Sequence, residues 1–88
     1  MLGKIIRYMR LASGHSQLEL SKKTGIAQPT LSGYETAFSI PNFREVEKIA
    51  GACDFEIVFV DKHSGEKVTG DNVDRRLGKL NQKGIAKN

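Results

Sequence analysis

The sequence is poor in the residues that covalent cross-links, membrane spans and catalytic centres require. It has one cysteine, Cys53, so no internal disulfide can form and a reducing compartment is the fitting setting. Its longest apolar run, Ile57 to Val60, is far too short to span a bilayer. Met1 and Leu2 lead straight into a charged amphipathic segment, so a chain without a secretory leader is the expectation. A soluble cytoplasmic protein with no membrane partner is the expectation. Histidine is scarce, and His15, His63 and Cys53 stand far apart in sequence. A zinc site wants more ligands at closer spacing. A Cys/His nucleophile pair wants a third orienting group and a cleft. There is no glycine-rich phosphate loop and no internal repeat. The expectation is a protein that is not an enzyme and carries neither metal nor cofactor.

What is present fits one small domain. The chain has 88 residues, 39% hydrophobic, which is marginal for a monomer and makes dimerisation an advantage. Its net charge is +4, which favours an anionic partner modestly. That charge is unevenly placed. Residues 1–61 hold seven basic and seven acidic side chains, whereas residues 62–88 hold seven basic and three acidic ones. The surplus therefore lies entirely in the tail. Within residues 1–61 the bases gather before Lys23 and the acids after Glu35, so the segment is polarised although neutral in sum.

The chain is organised around Ser16 to Tyr34, which reads as two short helices and a tight turn. Ser16 with Glu19 forms a capping box at the start of the first. Gly25 suits the positive φ of a helix end. The second helix starts near Ala27 or Gln28, with Pro29 in its first turn, where a missing N–H costs nothing. Two helices this short fit a helix-turn-helix unit, whose second helix lies in the DNA major groove. Before them, residues 2–13 read as a helix with Leu2, Ile5, Ile6, Met9 and Ala12 on its apolar stripe. After them comes a loop over Thr36 to Pro41, with Phe38 and Ile40 as expected anchors into the core. Asn42 caps a further helix, with Glu45 as its reciprocal capping partner and Phe43, Val46, Ile49, Ala50 and Cys53 buried. Met9, Leu18, Leu20, Ile26, Leu31, Phe43, Val46 and Ile49 form the expected core.

The period then changes. Residues 55–60 are β-branched and aromatic and read as a strand. Ser64 and Gly65 mark a turn, and Lys67 to Thr69 could return as a second strand. A lone strand after four helices has two unpaired edges, and pairing with the same strand of a second subunit satisfies them. The expected homodimer interface is Phe55, Ile57, Val58, Phe59 and Val60. Such a two-fold dimer sets two recognition helices about 34 Å apart, as a palindromic operator requires. From Gly70 the chain is polar and basic and reads as a largely mobile tail.

The series Ser16-Gln17-Leu18-Glu19-Leu20, Lys23-Thr24-Gly25-Ile26, Gln28-Pro29-Thr30-Leu31-Ser32, Tyr34-Glu35, Pro41 and Lys48-Ile49-Ala50 falls in one gapless register. Over roughly residues 3–54 it resembles the Cro/repressor-type, or Xre, helix-turn-helix family. The resemblance implies a mostly α fold: a four-helix, lambda-repressor-like helix-turn-helix domain over residues 1–54. A dimerising β-strand or short hairpin over 55–69 and a flexible basic tail over 70–88 would follow. A strand where the family usually adds a fifth helix resembles the HipB-type antitoxins. These repress their own operon and bind a HipA-type kinase toxin.

The family register implies site residues. Gln28, Pro29, Thr30 and Gly33 match positions that reach base edges. The Gln28 amide suits adenine N6 and N7, and Thr30 suits a phosphate or a thymine methyl. Gly33 departs from relatives that carry a long polar side chain there, which implies fewer base contacts or a closer backbone approach. Gln17 matches a phosphate-binding position, with Arg10, Lys22, Lys23, Ser32, Ser39 and Asn42 as further phosphate candidates. For the charged residues an ordinary solvated face is an equally good reading. In the family the tyrosine at Tyr34 packs under the recognition helix, and Glu35 can tie the helix end to a basic residue such as Arg10. The loop from Thr36 to Asn42 lacks the bases that relatives often carry. Arg75, Arg76, Lys79, Lys83 and Lys87 of the tail could compensate, or could serve only solubility or docking.

The resulting expectation is a dimeric, sequence-specific repressor of its own promoter, with double-stranded DNA as partner, and plausibly the antitoxin of a toxin–antitoxin pair. Two alternatives stand beside it: a stand-alone phage or host regulator, and a protein-interaction module that keeps the helix-turn-helix as scaffold.

Overall fold

A computed structural model describes residues 1–82. The element order is α1 (Leu2–Ala12), α2 (Gln17–Thr24), α3 (Gln28–Glu35), α4 (Phe43–Ala52), β1 (Phe59–Val60), β2 (Lys67–Val68) and α5 (Val73–Gln82). The chain divides into two compact units after Glu56.

In the first unit α1 packs on α3 and α4, and α2 packs on the same two helices. Their shared core is Ile6, Met9, Leu20, Ile26, Leu31, Tyr34, Ile49, Ala50 and Cys53. Ile6, Leu20, Leu31 and Ile49, one from each helix, are fully buried and define its centre. The core is narrower than the hydrophobic pattern suggested. Leu18 is exposed, because α2 buries the Leu20–Thr24 line and Leu18 lies two residues, or about 200°, from Leu20. Ile5 is exposed beside the buried line of Ile6 and Met9, and Ala12 is exposed at the end of α1. Phe43 is exposed at the first position of α4.

Turn geometry explains where the helices stop. After α1, α3 and α4 the chain closes the same doubled hydrogen-bond pattern. Gly14, Ala37 and Asp54 each take a positive φ there. His15 N–H donates to the Arg10 carbonyl, Phe38 N–H to Gly33 and Phe55 N–H to Ala50, each spanning the last turn. Asp54 thus spends the Phe55 amide on the helix end. This takes Phe55 out of the strand expected over 55–60, and the ladder that forms holds only Phe59–Val60. Phe55 leaves the expected strand interface and meets Tyr8 edge-on, ring centroids 6.3 Å apart. After α3, Phe38 and Ile40 are turned outward, 89% and 84% exposed, instead of anchoring the core; Pro41 is buried in their place.

Two caps follow the sequence with one change. Ser16 and Glu19 form the full capping box, with Ser16 N–H donating to Glu19 Oε1 at 2.8 Å and Glu19 N–H to Ser16 Oγ at 3.0 Å. Asn42 Oδ1 accepts from Glu45 N–H at 2.9 Å, but Glu45 does not return the bond. Its carboxylate accepts from the Tyr34 hydroxyl, which raises the Tyr34 pKa and ties α4 to α3.

In the second unit β1 and β2 form an antiparallel hairpin, with Phe59 opposite Val68 and Val60 opposite Lys67. Asp61 closes its turn by accepting from the amides of His63 and Ser64, and these bonds hold its carboxyl below the ordinary range. The expected mobile tail is instead helical over Val73–Gln82. Val73, Leu77 and Leu80 recur at helical spacing there, and Glu66 pairs with Arg76. Asn72 fixes the helix entry by accepting from Thr69 N–H and donating to the Lys67 carbonyl. Lys83 and Lys87 lie outside the described residues.

Gly3 marks a close helix crossing. A Cβ there would stand 2.4 Å from the Tyr34 carbonyl oxygen and 3.0 Å from that of Glu35. Gly51 in α4 has nothing within 4 Å of such an atom. Gly3→Ala should therefore destabilise by about 2 kcal/mol, whereas Gly51→Ala should stabilise by about 0.5 kcal/mol. Chemical denaturation of both variants checks the opposite signs.

Candidate nucleic-acid interface

The second helix of the central pair shows a clear division of faces. Leu31 and Tyr34 of α3 are buried, and Gln28, Pro29 and Thr30 are exposed. At 100° per residue Pro29, Ser32 and Gly33 point away from the buried line, with Gln28 and Thr30 flanking them. Ala27, the residue before α3, makes no side-chain cap, and Pro29 occupies the first turn. Leu31 N–H donates to the Ala27 carbonyl and Pro29 has no N–H, so the amides of Gln28 and Thr30 are left for an external acceptor. Lys22 and Lys23 are exposed in the last turn of α2, and Gly25 closes that helix at φ 76°.

Behind this surface sits one carboxylate with several donors. Glu35 Oε2 accepts from Arg10 Nε at 2.6 Å, and Glu35 Oε1 accepts from Arg10 Nη2 at 2.9 Å and from Gln17 Nε2 at 3.2 Å. Arg10 Nη1 donates to the His15 carbonyl at 3.0 Å. The two side chains of the pair are 11% and 3% exposed. Burial pushes the Glu35 carboxyl up, but the bonds from Arg10 and Gln17 and the charges of Arg10 and Arg7 outweigh it and hold it below its ordinary value. The bond from Glu35 in turn raises the Arg10 pKa against the cost of burial.

This corrects the reading of Arg10 as a phosphate contact. Its guanidinium is buried and spent on Glu35 and His15, the tie that the Tyr34-Glu35 motif implied. Gln17 is half-buried, with one amide hydrogen turned inward to Glu35. Asn42 uses its side-chain oxygen as the α4 cap, leaving its amide hydrogens as donors. Ser39 is exposed and Ser32 half-exposed. Gly33 does not offer bare backbone to a ligand. The following loop folds over it, and a Cβ there would lie 3.0 Å from Ser39 Oγ and 3.7 Å from Phe38 Cδ2. Two structural residues escaped the sequence reading. Gly3 carried no signal, because its neighbours at the crossing lie some thirty residues away in α3. Tyr8 was legible only as an aromatic outside the α1 stripe.

Residues 6–60 match the helix-turn-helix family model HTH_3. The chain belongs to the Xre-type helix-turn-helix family. It is thus a DNA-binding transcription regulator in class. Two solved structures resemble this Xre-type chain. One is SinR, a master regulator for biofilm formation, in complex with DNA; it is 32% identical over 62% of this chain and 89% of its own, with a TM-score of 0.59. The other is a complex of SinR with SinI; it is 26% identical over 98% of this chain and 80% of its own, with a TM-score of 0.58. No curated protein matches the sequence. Among the described residues no helix is long and apolar enough to cross a membrane.

The buried pair generates a test. Glu35→Gln strands a buried guanidinium and should cost about 3 kcal/mol, whereas Arg10→Met with Glu35→Leu should recover most of that loss. The linkage follows from the sign of the shift. A carboxyl held below its unfolded value adds stability that is present above that value, near 4.5, and lost as pH falls through the lower folded one. The wild type should therefore lose this increment only below about pH 4.5, and the double variant should lack that part of the acid slope. Denaturation midpoints from pH 3 to 7 read both.

Proposed function

We propose that this Xre-type regulator is a dimeric, sequence-specific repressor acting on a palindromic operator near its own promoter. One observation carries the reading: α3 buries Leu31 and Tyr34 and leaves Gln28, Pro29 and Thr30 exposed at an uncapped helix start. Gln28 offers an amide matched to adenine N6 and N7, and Thr30 offers a hydroxyl and a methyl. Lys22, Lys23, Gln17, Ser32, Ser39 and the Asn42 amide surround them as backbone contacts, which position the domain and carry no sequence information themselves. The solved SinR–DNA complex supports the same use of the fold.

The direct test is fluorescence anisotropy on the DNA upstream of the gene, across a salt series, with wild type beside Gln28→Ala/Thr30→Ala. Specific binding should fall by at least tenfold in the double variant, leaving a weak salt-dependent background. Equal binding by both proteins would favour the interaction-module reading.

Dimerisation is proposed through the second unit. None of residues 57–80 is buried, which is too little core for a short hairpin and a helix to stand alone. Phe59 and Val60 are 65% and 55% exposed, and Ile57 and Val58 half-buried. Pairing of β1 with its two-fold mate would cover them and complete the edge that β2 leaves open. Phe59→Asp should give a monomer by analytical ultracentrifugation; a variant that stays dimeric counts against this interface.

The placement of the hairpin after α4 also supports a HipB-type antitoxin role with a HipA-type kinase as partner. A solved relative that spans nearly the whole chain is itself a complex with a second protein. A kinase-toxin gene beside this one would favour that role over a stand-alone regulator.

A further inference from the structure

We propose that Phe38 is a specificity-determining residue, whose ring reads the methyl group of a thymine next to the bases facing the start of α3. The inference rests on the DNA-binding reading above and adds a contact that the recognition helix cannot make alone.

Gly33 lies on the outward side of α3, one turn beyond Pro29. It presents no side chain of its own. The loop after α3 supplies one. The amides of Phe38 and Ser39 both donate to the Gly33 carbonyl, at 2.9 and 3.2 Å. The Phe38 ring then stands within van der Waals reach of where a Gly33 side chain would begin, with Cδ2 3.7 Å from that point. The ring thus takes the place of the missing side chain on the flank that carries Pro29.

The ring is 89% exposed, an unusual state for a phenylalanine, and the backbone that carries it is held to the Gly33 carbonyl. Ala37 holds φ at 64°, a conformation that alanine rarely adopts, and its amide donates to Tyr34 in the same turn. The fold accepts that strain while leaving an apolar ring in water beside the recognition helix. Gln28 and Thr30 can answer the hydrogen-bonding edges of bases. Phe38 has no polar atom in its side chain and can answer only the apolar feature of the major groove, the thymine methyl.

The test is selection from duplexes with a randomised core, using wild type, Phe38→Ala, Phe38→Leu and Gln28→Ala/Thr30→Ala. The wild-type motif should include a thymine beside the positions that the Gln28/Thr30 variant ceases to discriminate. Phe38→Ala should keep the rest of the motif and lose about fourfold at that thymine, the worth of one buried methyl. Phe38→Leu should lose less. Uracil in place of that thymine should cost the wild type about the same fourfold and cost Phe38→Ala nothing. A wild type indifferent to uracil at every thymine of its motif overturns the assignment. So does a motif unchanged in Phe38→Ala; a changed oligomeric state of that variant in gel filtration would then give the ring to a protein interface. In either case, loss of the motif in the Gln28/Thr30 variant would leave the broader reading standing. A wild type that enriches no motif overturns both.

Discussion

The buried pairing of Glu35 with Arg10 and Gln17 is the constraint on which the first unit depends. It joins three helices at one carboxylate: α1 through Arg10, α2 through Gln17 and α3 through Glu35 itself. Apolar packing between short helices permits sliding and rotation, since it is non-directional. A bidentate guanidinium–carboxylate pair does not, because both bonds require one planar geometry. Gly3 adds a second constraint at the same corner, letting α1 meet the carbonyls of Tyr34 and Glu35 closely. The end of α3 is thereby fixed against α1, while its start, with Gln28 and Thr30, is left to the solvent.

Tyr34 extends this arrangement to the remaining helix. Its hydroxyl reaches Glu45 in the first turn of α4. The adjacent pair Tyr34-Glu35 thus grips α4 on one side and α1 and α2 on the other. Its polar contacts hold the recognition helix from behind, so its outward side can vary in sequence without loss of the scaffold. That division explains why motif positions in this part of the chain were legible. Capping boxes, glycine at a helix end and proline at a helix start are local signals, and Ser16, Gly25, Pro29 and Asn42 all act as their chemistry predicts.

The misread positions share a different cause. Whether Leu18, Phe38, Ile40 or Phe43 is buried depends on which neighbouring helix lies opposite, and hydrophobicity alone does not encode that. Phe38 and Ile40 were expected inside because large apolar residues usually are; the positive φ of Ala37 turns them out, and alanine gives no warning of it. The same kind of event removes Phe55 from the expected strand, a helix-ending turn at Asp54 that uses the Phe55 amide. The helix of residues 73–82 gives a weak signal because Gly78, which it accommodates without a break, is a poor helix former and its apolar residues are few. Arg10 was misassigned because a cation's partner is invisible in sequence until the fold brings a carboxylate twenty-five residues away beside it.

Charge is distributed unevenly between the two units. The first unit holds its strongest internal pair as a mutual neutralisation, so Arg10 and Glu35 contribute structure and almost no external field. Its remaining exposed cations include Lys22 and Lys23 in the last turn of α2, immediately before the turn into α3. With seven basic and six acidic side chains over residues 1–56, this unit carries a net charge of only +1, so net charge gives it little pull on a polyanion and the placement of its few cations matters more. The second unit carries most of the surplus, with Arg75 and Lys79 on α5 and Arg76 partly compensated by Glu66. On the DNA-binding reading proposed above, weak electrostatics in the first unit would place more of the discrimination on Gln28, Thr30 and the outward apolar groups. In the dimer proposed above, linking two modest half-site contacts would raise affinity without adding charge.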